Sequence, residues 1–286
     1  MEVLFTNYVL NFAFKFINIL GKMRLPSSSL KSLGSCLNQR RLFLTCLQSV
    51  RNNSSIFGSQ FKDNSTQVKD ATKRILHLNV ALGNDSLVAE GARTFLSSLT
   101  SSYSVTELNL WKQEDMIHYN ADHARSKMSV LKGFASEGDA ELISPVLIAA
   151  QNINLMDMVV VSTPMWNYSV PYVLKQYMDI VVQPGINFRD ENQSSLDHLR
   201  GRHLVVFSSA GAVFDENSVR QDFMNPLLSQ VFRLMGFDKQ EFVFIQGTST
   251  RSREEAVMWT KGEAVRVAGV VNDSIGVTDD KTKTVI

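Results

Sequence analysis

The stretch of sequence that decides the fold is VVVSTPMWNYSVP, residues 159–171. Its first part is an apolar run of valines, which is typical of a parallel strand that is buried on both faces. A Pro-aromatic-Asn turn follows, after which Ser169 and Pro171 are suited to cap and begin a helix. In open parallel sheets, ligands bind where the chain leaves the carboxyl ends of the strands. The turn from Pro164 to Tyr168 is therefore a candidate binding site.

The same alternation of strand and helix continues through the chain from about Lys73. Pro145 interrupts one helical pattern, and the polar segment 111–140 carries no pattern that predicts its structure. Five strands that alternate with helices over about 200 residues predict an α/β domain at residues 73–272, a three-layer sandwich around a five-stranded parallel sheet. A polar C-terminal tail is predicted at residues 273–286. The strands are predicted at 74–80, 105–110, 158–162, 203–208 and 241–245, and the helices at 86–100, 141–155, 169–182, 223–235 and 253–271.

The first 70 residues differ from the rest in composition. There is no Asp or Glu between Val3 and Lys62, whereas Lys and Arg recur throughout that segment. An acid-free basic segment rich in Ser, Asn and Leu is typical of an organellar transit peptide. We therefore predict that residues 1–70 are a targeting peptide and that the protein is mitochondrial. A plastid or cytoplasmic location and a disordered basic extension are the alternatives. The basic residues are spaced out, which argues against a nucleic-acid partner.

The start of the chain and its cysteines exclude some classes of function. Residues 3–20 are apolar, but Lys15 and several Asn residues interrupt them. A charge near the centre of a spanning helix costs on the order of 3 kcal/mol, so no stable membrane span is predicted. Both cysteines, Cys36 and Cys46, precede the predicted domain. The domain therefore has no thiolate nucleophile and no cysteine-ligated metal, and no histidine spacing typical of zinc sites occurs.

Two more strand ends are expected at the same edge of the sheet as the Pro164–Tyr168 turn. The small residues Ser209 to Ala212 follow the fourth strand, and a loop from Leu82 to Ser86 joins the first strand to the first helix. Small residues allow backbone to approach a ligand closely. The free N–H groups at the start of a helix favour an anion such as a phosphate. The three loops are therefore expected to line one crevice.

These residues resemble those of the FMN-dependent NAD(P)H:quinone reductases and azoreductases of the flavodoxin-like superfamily. The resemblance covers residues 74–271. It is strongest at 157–168, 174–179 and 185–189, where a Pro-Met-aromatic-Asn-aromatic turn precedes Leu-Lys-x-aromatic-x-Asp and Gly-x-x-Phe. It implies a flavodoxin-like fold, an FMN cofactor and a homodimer. It also implies a ping-pong transfer of two electrons from NAD(P)H to a quinone or an azo compound, with no catalytic side chain because the chemistry belongs to the cofactor.

The resemblance also implies roles for particular residues. The turn would hold one side of the isoalloxazine ring, because backbone N–H and C=O groups can bond its polar edge while Met or aromatic side chains cover its apolar part. The small loop matches a Ser-x-Gly-Gly pattern in which Ala212 replaces the second glycine, and Phe188 matches an aromatic residue near the substrate. The expected FMN-binding residues are Ser86, Leu87, Val88, Met165, Trp166, Asn167, Tyr168, Ser209, Ala210, Gly211 and Ala212.

The expected phosphate loop departs from the family pattern. The family has a hydroxyl at the end of the first strand and Ser-x-Ser at the start of the helix, where this chain has Val80-Ala81 and Ser86-Leu87-Val88. Asp85 adds a carboxylate that would repel a phosphate. The alternative function is therefore a diverged binding or regulatory module on the same fold, with weak or lost flavin binding.

Structural roles are the alternatives for individual residues. Trp166 and Tyr168 could simply cover the core, and Asn167 could be a turn former whose side chain bonds local backbone. Phe188 could anchor its loop in the core. His77 lies inside a predicted strand, where a histidine with satisfied hydrogen bonds is expected.

Overall fold

The computed structural model describes residues 73–112, 116–189, 194–215 and 219–281, with side chains of the last helix described as far as Ile275. Five strands form one parallel sheet in the order β2-β1-β3-β6-β7. This is the 2-1-3-4-5 order of flavodoxin-like folds, so the predicted sandwich is confirmed. The predicted targeting segment, residues 1–70, lies outside the described residues. The strands of the sheet are β1 (Lys73–Asn79), β2 (Tyr103–Asn109), β3 (Met158–Pro164), β6 (His203–Ser209) and β7 (Lys239–Ile245), and a separate antiparallel pair is β4 (Phe188–Arg189) and β5 (Ser194–Ser195).

Helices cover both faces of the sheet. The first and the last helix pack on one face, and the third, fourth and fifth pack on the other, while the second lies against the third. This arrangement explains why the central strands are apolar on both sides. The helices are α1 (Leu87–Ser97), α2 (Ala121–Lys132), α3 (Glu137–Asn154), α4 (Tyr172–Val181), α5 (Met224–Leu234) and α6 (Arg253–Lys281).

Strand β3 shows this double burial directly. Its valines are fully buried, with Val159 and Val161 in the core under α3, α4 and α5, and Val160 in the core under α1 and α6. Burying one valine side chain stabilises a fold by roughly 1.5–3 kcal/mol. The valine run therefore places β3 at the centre of the sheet and its Pro164 end at the carboxyl edge, as the sequence predicts.

Gly91 lets α1 approach the sheet closely. A Cβ atom at this position would lie 2.5 Å from Phe207 Cδ1 and 3.0 Å from Thr260 Cγ2. Phe207 belongs to β6 and Thr260 to α6, and both side chains are fully buried. The absence of a side chain at Gly91 therefore sets the position of α1 against a strand and a helix at once.

Several element boundaries differ from the sequence prediction. Pro171, and not Ser169, occupies the N-cap position of α4, while Ser169 closes the preceding turn. Helix α3 begins before the predicted start at residue 141, because Ser136 and Asp139 form a reciprocal capping box, and it continues through Pro145. The structure also contains α2, in the segment for which the sequence predicted nothing, with Asn120 accepting from the amides of its first turn.

The prediction of a polar tail from residue 273 is wrong as far as Lys281. Helix α6 continues to Lys281, and Ile275 is only 5% exposed, within the same core as α1. The polar composition hid this continuation, because a single buried residue per turn is enough to keep a surface helix attached. Residues 282–286 of the predicted tail lie outside the described residues.

The described residues offer neither a membrane-spanning helix nor a cluster of metal ligands. No helix among them is long and apolar enough to cross a bilayer. Likewise, no group of three or more His, Cys, Asp or Glu side chains in this part of the chain is placed to hold a metal ion.

Candidate cofactor site

The β3 loop, residues 165–171, begins with a strained hairpin turn. The Trp166 N–H donates to the Ser169 carbonyl over 2.9 Å, and the Ser169 N–H donates to the Trp166 carbonyl over 3.0 Å. Between them, Asn167 has φ 48° and Tyr168 has φ 69°. Positive φ at both central positions defines a type I′ turn, which glycine usually supplies. Asn tolerates this conformation, but a tyrosine held there costs on the order of 1–3 kcal/mol, and such residues are common at functional sites.

Neighbouring segments hold this turn in place. The Met165 N–H donates to the carbonyl of Ser209 at the end of β6, over 2.7 Å. The Tyr168 carbonyl accepts from the N–H of Phe223, which precedes α5, over 3.2 Å. The strained turn is thus bonded on both sides to parts of the chain that lie far away in sequence.

The aromatic side chains of the β3 loop lie at the surface. Trp166 is 38% exposed and Tyr168 47% exposed, so neither merely covers the core. Trp166 packs on Trp111, with ring centroids 5.3 Å apart, and Trp111 also meets the edge of Tyr172 at 6.0 Å. The Trp111 indole N–H donates to the Val80 carbonyl over 2.9 Å, which fixes the ring beside the end of β1. These three side chains form an exposed aromatic wall.

The sequence prediction missed two members of this wall, Trp111 and Tyr172. Trp111 lies two residues beyond the end of β2, and Tyr172 is the first residue of α4. The position of Trp111 directly after a strand was the available signal, since all parallel strands end at the same edge. Asn167, in contrast, was predicted. Its side chain is exposed and makes no hydrogen bond within the described part of the chain, so the bond to local backbone is not observed.

The β6 loop, residues 209–215, is bonded to the loop that follows β7. The carbonyls of Ala210, Gly211 and Ala212 accept from the amides of Thr248, Ser249 and Gly247, over 3.2, 3.3 and 3.0 Å. A Cβ atom at Gly211 would lie 2.5 Å from Ser249 Oγ, so a side chain there would require the Ser249 hydroxyl to move. Ala212 does not have a positive φ, so the expected second glycine is not required.

The amide groups of the β6 loop are used unequally. The Ala210 N–H donates to the Ile245 carbonyl over 2.9 Å. The N–H groups of Gly211 and Ala212 donate to no acceptor among the described residues. The loop is therefore rigid, yet it retains two backbone donors that are available for a ligand.

The β1 loop, residues 80–86, leads into the first turn of α1. Ser86 is the N-cap residue, and its hydroxyl makes no capping bond. The first intrahelical bond runs from the Glu90 N–H to the Ser86 carbonyl over 2.9 Å. The amides of Leu87, Val88 and Ala89 precede it and have no intrahelical acceptor, as in every first turn. These groups form a potential anion site.

The side chains that follow Ser86 do not contribute to such a site. Val88 is fully buried and Leu87 packs at the rim of the same core, under α1 and α6. Of the expected Ser-x-Ser hydroxyls, only the one on Ser86 is present. Leu87 and Val88 can therefore contribute backbone N–H groups alone.

Asp85 has a partner that the sequence did not indicate. The Arg253 guanidinium donates to the backbone carbonyl of Asp85, and its Nη2 lies 4.0 Å from the Asp85 carboxylate. The carboxylate is 88% exposed and the guanidinium 57% exposed. The negative charge that the sequence placed beside the loop is therefore accompanied by a positive one from the first turn of α6.

A polar network that is buried at His77 and Ser162 lies beneath the β1 loop. His77 Nε2 is 2.9 Å from Ser162 Oγ, and His77 Nδ1 is 3.5 Å from Glu107 Oε2. The hydrogen bond with His77 lowers the pKa of Glu107 to about 2, and a bond from Asn79 acts in the same direction against the effect of burial. Asn79 Oδ1 also accepts from the Ala81 N–H over 3.0 Å. The prediction that His77 is a satisfied histidine is confirmed, and its network supports the start of the β1 loop.

Phe188 is not brought together with the other predicted site residues. It follows α4, which returns the chain from the carboxyl edge of the sheet to the opposite edge. The preceding Asn187 bonds Ala150 and Asn154 near the end of α3, over 3.1 and 2.8 Å. Phe188 itself is 7% exposed. Within one chain this geometry favours the core-anchor alternative, and a substrate role for Phe188 stays a prediction.

The fold and its three loops define a flavodoxin-like domain, and comparison with known proteins gives the family. The Flavodoxin_2 family, described as "Flavodoxin-like fold", matches residues 73–266. The chain is 31% identical to FMN-dependent NADH:quinone oxidoreductase 1 of Bradyrhizobium diazoefficiens, over 62% of this chain and 88% of that protein. It is 30% identical to an FMN-dependent NADH:quinone oxidoreductase of Beijerinckia indica, over 61% and 88%. The chain therefore belongs to this flavodoxin-like family, as its motifs suggested.

Solved structures give the same fold. An FMN-dependent NADH-azoreductase from Bacillus anthracis, in complex with FMN, has a TM-score of 0.62 at 17% identity, over 70% of this chain and 100% of that chain. A second azoreductase from Bacillus anthracis has a TM-score of 0.61 at 20% identity, over 71% and 100%. At these identities the likeness supports the fold alone.

Proposed function

We propose that this protein is an FMN-dependent oxidoreductase that passes two electrons from NAD(P)H to a quinone or an azo compound. The observation that carries the proposal is the convergence of the β1, β3 and β6 loops at one edge of the sheet, with backbone donors left unused. The names of the relatives support FMN, NADH and a quinone. The azo compound rests on the sequence resemblance and on the names of structural neighbours.

The residues present fit FMN at both ends of the molecule. The unused amides of Gly211 and Ala212 and the free side chain of Asn167 can bond the polar edge of a flavin ring, and Trp166 and Tyr168 offer apolar surface. The first-turn amides of α1 and the free hydroxyl of Ser86 can bond a phosphate.

The chain contributes binding and orientation in this scheme. FMN, when bound, supplies the two-electron chemistry. The strained β3 loop and the rigid β6 loop would orient the ring, and the wall of Trp111, Trp166 and Tyr172 offers a flat surface for a flat acceptor. Because one exposed aromatic surface would serve both substrates, we propose that NAD(P)H and the acceptor bind in turn, as a ping-pong mechanism requires.

Oligomeric state and location complete the proposal. We propose a homodimer, which the family resemblance implies and which would let a second chain close the exposed side of the crevice. We also propose that residues 1–70 direct the protein to mitochondria, on the acid-free basic composition of that segment. Light scattering tests the dimer, and a fusion of residues 1–70 to a fluorescent reporter tests the subcellular location. A monomer or a diffuse cytosolic signal would contradict the respective statement.

The experiment that tests the activity uses the purified full chain. We expect FMN to bind with a shifted visible spectrum, and we expect NADH oxidation to depend on FMN and a soluble quinone. Initial rates at several quinone concentrations should give parallel double-reciprocal lines, and intersecting lines would contradict the ping-pong mechanism. No flavin binding and no quinone-dependent oxidation would overturn the proposed function.

The alternative is a binding or regulatory module that has lost the cofactor. Asp85 and the missing hydroxyls of the β1 loop favour it. It predicts that neither FMN nor riboflavin binds at micromolar concentration, whereas the oxidoreductase proposal predicts that FMN does. The same titration therefore decides between the two.

A further inference from the structure

Arg253 stands at an electrostatically unfavourable place. It is the first residue of α6, where Ser252 caps the helix by accepting from the Glu255 N–H over 3.2 Å. A cation in the first turn opposes the helix dipole, which is unfavourable. Glu254 and Glu255 in the same turn are placed favourably, but Arg253 is not. Its side chain leaves the helix and reaches the β1 loop, where it meets Asp85.

The packing of α6 on α1 fixes that reach. Lys261 Nζ lies 2.9 Å from Glu90 Oε1, which joins the two helices near their N-terminal ends. Gly91 brings Thr260 of α6 within contact distance of α1, and the two helices share one buried core. Arg253 is therefore held beside the β1 loop by the body of the fold, and the contact does not depend on an isolated surface pair.

The Arg253 guanidinium has N–H donors that its bond to Asp85 does not use. An arginine carries five N–H donors in a planar fork, and the Asp85 backbone carbonyl uses one side of it. The side chain is 57% exposed and contacts Asp85, the residue that precedes Ser86 with its uncapped hydroxyl. A phosphate at the first turn of α1 would bring about −1.5 to −2 charges to this loop, which already holds the Asp85 carboxylate. Arg253 brings a positive charge into contact with that loop.

We propose that Arg253 is a phosphate-binding residue of the FMN site. It takes the place of the hydroxyls that the β1 loop lacks, and the Asp85 carbonyl orients its guanidinium toward the phosphate. This inference rests on the proposed function, because it presupposes that FMN binds. It assigns recognition of the phosphate partly to α6, far from the β1 loop in sequence. A charged hydrogen bond of this kind contributes roughly 10- to 100-fold in affinity.

The consequence is selectivity between two flavins. Riboflavin has the same ring as FMN but no phosphate, so Arg253 should affect FMN alone. The test compares wild type, Arg253→Gln and Arg266→Gln by titrating the full chain with FMN and with riboflavin and following flavin fluorescence. Arg266 is a matched control, since it lies on the same helix and pairs with Glu263 over 2.9 Å. Both variants lose one positive charge.

We expect Arg253→Gln to weaken FMN binding about 10-fold or more, to leave riboflavin binding within twofold, and to reduce the salt dependence of FMN binding. Arg266→Gln should leave both affinities within twofold. Equal FMN affinity in the two variants would overturn the role of Arg253 while the proposed function stands. An equal loss for FMN and riboflavin would also overturn it, because a structural effect on the ring site would then explain the loss. If wild type binds neither flavin, the proposed function and this inference fail together.

Discussion

The β6 loop and the β1 loop follow the two strands that flank β3, but the protein holds them in different ways. Three carbonyls of the β6 loop accept from the loop after β7, and the Ser209 carbonyl accepts from the β3 loop. The β1 loop makes fewer backbone bonds to other segments, and its residues from Leu82 to Asp85 are exposed. The β6 loop is held at several points by its neighbours, and the β1 loop is open and carries the Asp85 and Arg253 pair.

This difference indicates how the two loops would contribute to the binding of FMN. A rigid loop with unused backbone donors recognises shape at little conformational cost on binding. An open loop beside an arginine recognises charge, and its contribution falls as salt is added. We therefore expect ring binding to depend on backbone geometry and phosphate binding to depend on side-chain charge. Changes in each region should separate the two effects.

The largest effect is expected when the backbone of the β3 loop is altered. Asn167→Val places a β-branched residue at φ 48°, which should lower the free energy of unfolding by about 1–2 kcal/mol and abolish detectable flavin binding. Asn167→Gly is the matched control, since glycine keeps the turn and removes the side chain. Its stability should be equal to or above that of wild type. Urea unfolding measures the stability of each variant, and riboflavin titration measures its flavin binding.

The control also separates the two roles of Asn167. Flavin binding that survives in the glycine variant would show that the turn geometry matters more than the amide side chain. A valine variant as stable as wild type would contradict the strained turn described above.

A smaller change is expected in the β1 loop from Asp85→Ser. Removing a carboxylate beside the phosphate should tighten FMN binding about three- to fivefold at low salt, with riboflavin unchanged. The Arg253 guanidinium keeps its backbone acceptor in this variant. Asp197→Ser is the control, because Asp197 also pairs with an arginine, Arg189, over 2.6 Å. An equal gain in both variants would mean that net charge alone is responsible.

Val88 is left unchanged in that experiment for a structural reason. Its side chain is fully buried, so a serine there would leave a hydroxyl inside the core under α1 and α6. Burying such a group without a partner costs about 1–3 kcal/mol. Restoring the full family pattern would therefore lower stability without adding a ligand to the β1 loop.

The smallest effect is expected from Glu107→Gln, in the network beneath the β1 loop. The folded protein lowers the pKa of Glu107 to about 2 from an ordinary value of 4.5. Stability from this carboxylate is fully present above pH 4.5 and is lost as the pH falls toward 2. Because its side chain is 53% exposed, we expect the variant to lose less than about 1 kcal/mol at pH 7.

The pH dependence distinguishes this contribution from a packing effect. Urea unfolding of wild type and variant should differ at pH 7, and the difference should shrink below pH 4.5 and vanish as the pH falls to about 2. Glu241→Gln serves as a charge-matched control on β7. A difference that stays constant with pH would show that the Glu107 carboxylate is not the cause.

The sequence was sufficient for features that depend on short-range patterns. The valine run of β3, the Pro164–Tyr168 turn and the parallel sheet all follow from neighbouring residues, because a buried parallel strand requires a continuous apolar run. The sequence also indicated where the β6 loop lies, since small residues follow a strand there. The family match confirms the resemblance that these motifs indicated.

Features that depend on contacts distant in sequence were missed. Arg253 meets Asp85 across most of the domain, and nothing near either residue indicates the partner. Helix α2 was missed because its stability comes from capping by Asn120 and contact with α3, while its own surface is polar. The predicted end of α6, at residue 271, was wrong because the burial of Ile275 depends on the position of α1.

Gly91 links the two regions compared above. The ring of Phe207 fills the space where a side chain would stand at Gly91, and Phe207 lies on β6 two residues before Ser209. The helix that begins at the anion end of the crevice is therefore in van der Waals contact with the strand that leads to its ring end. The separation between those ends is fixed by core packing. A ligand that engages both ends is selected by its length, in addition to the chemistry of any single side chain.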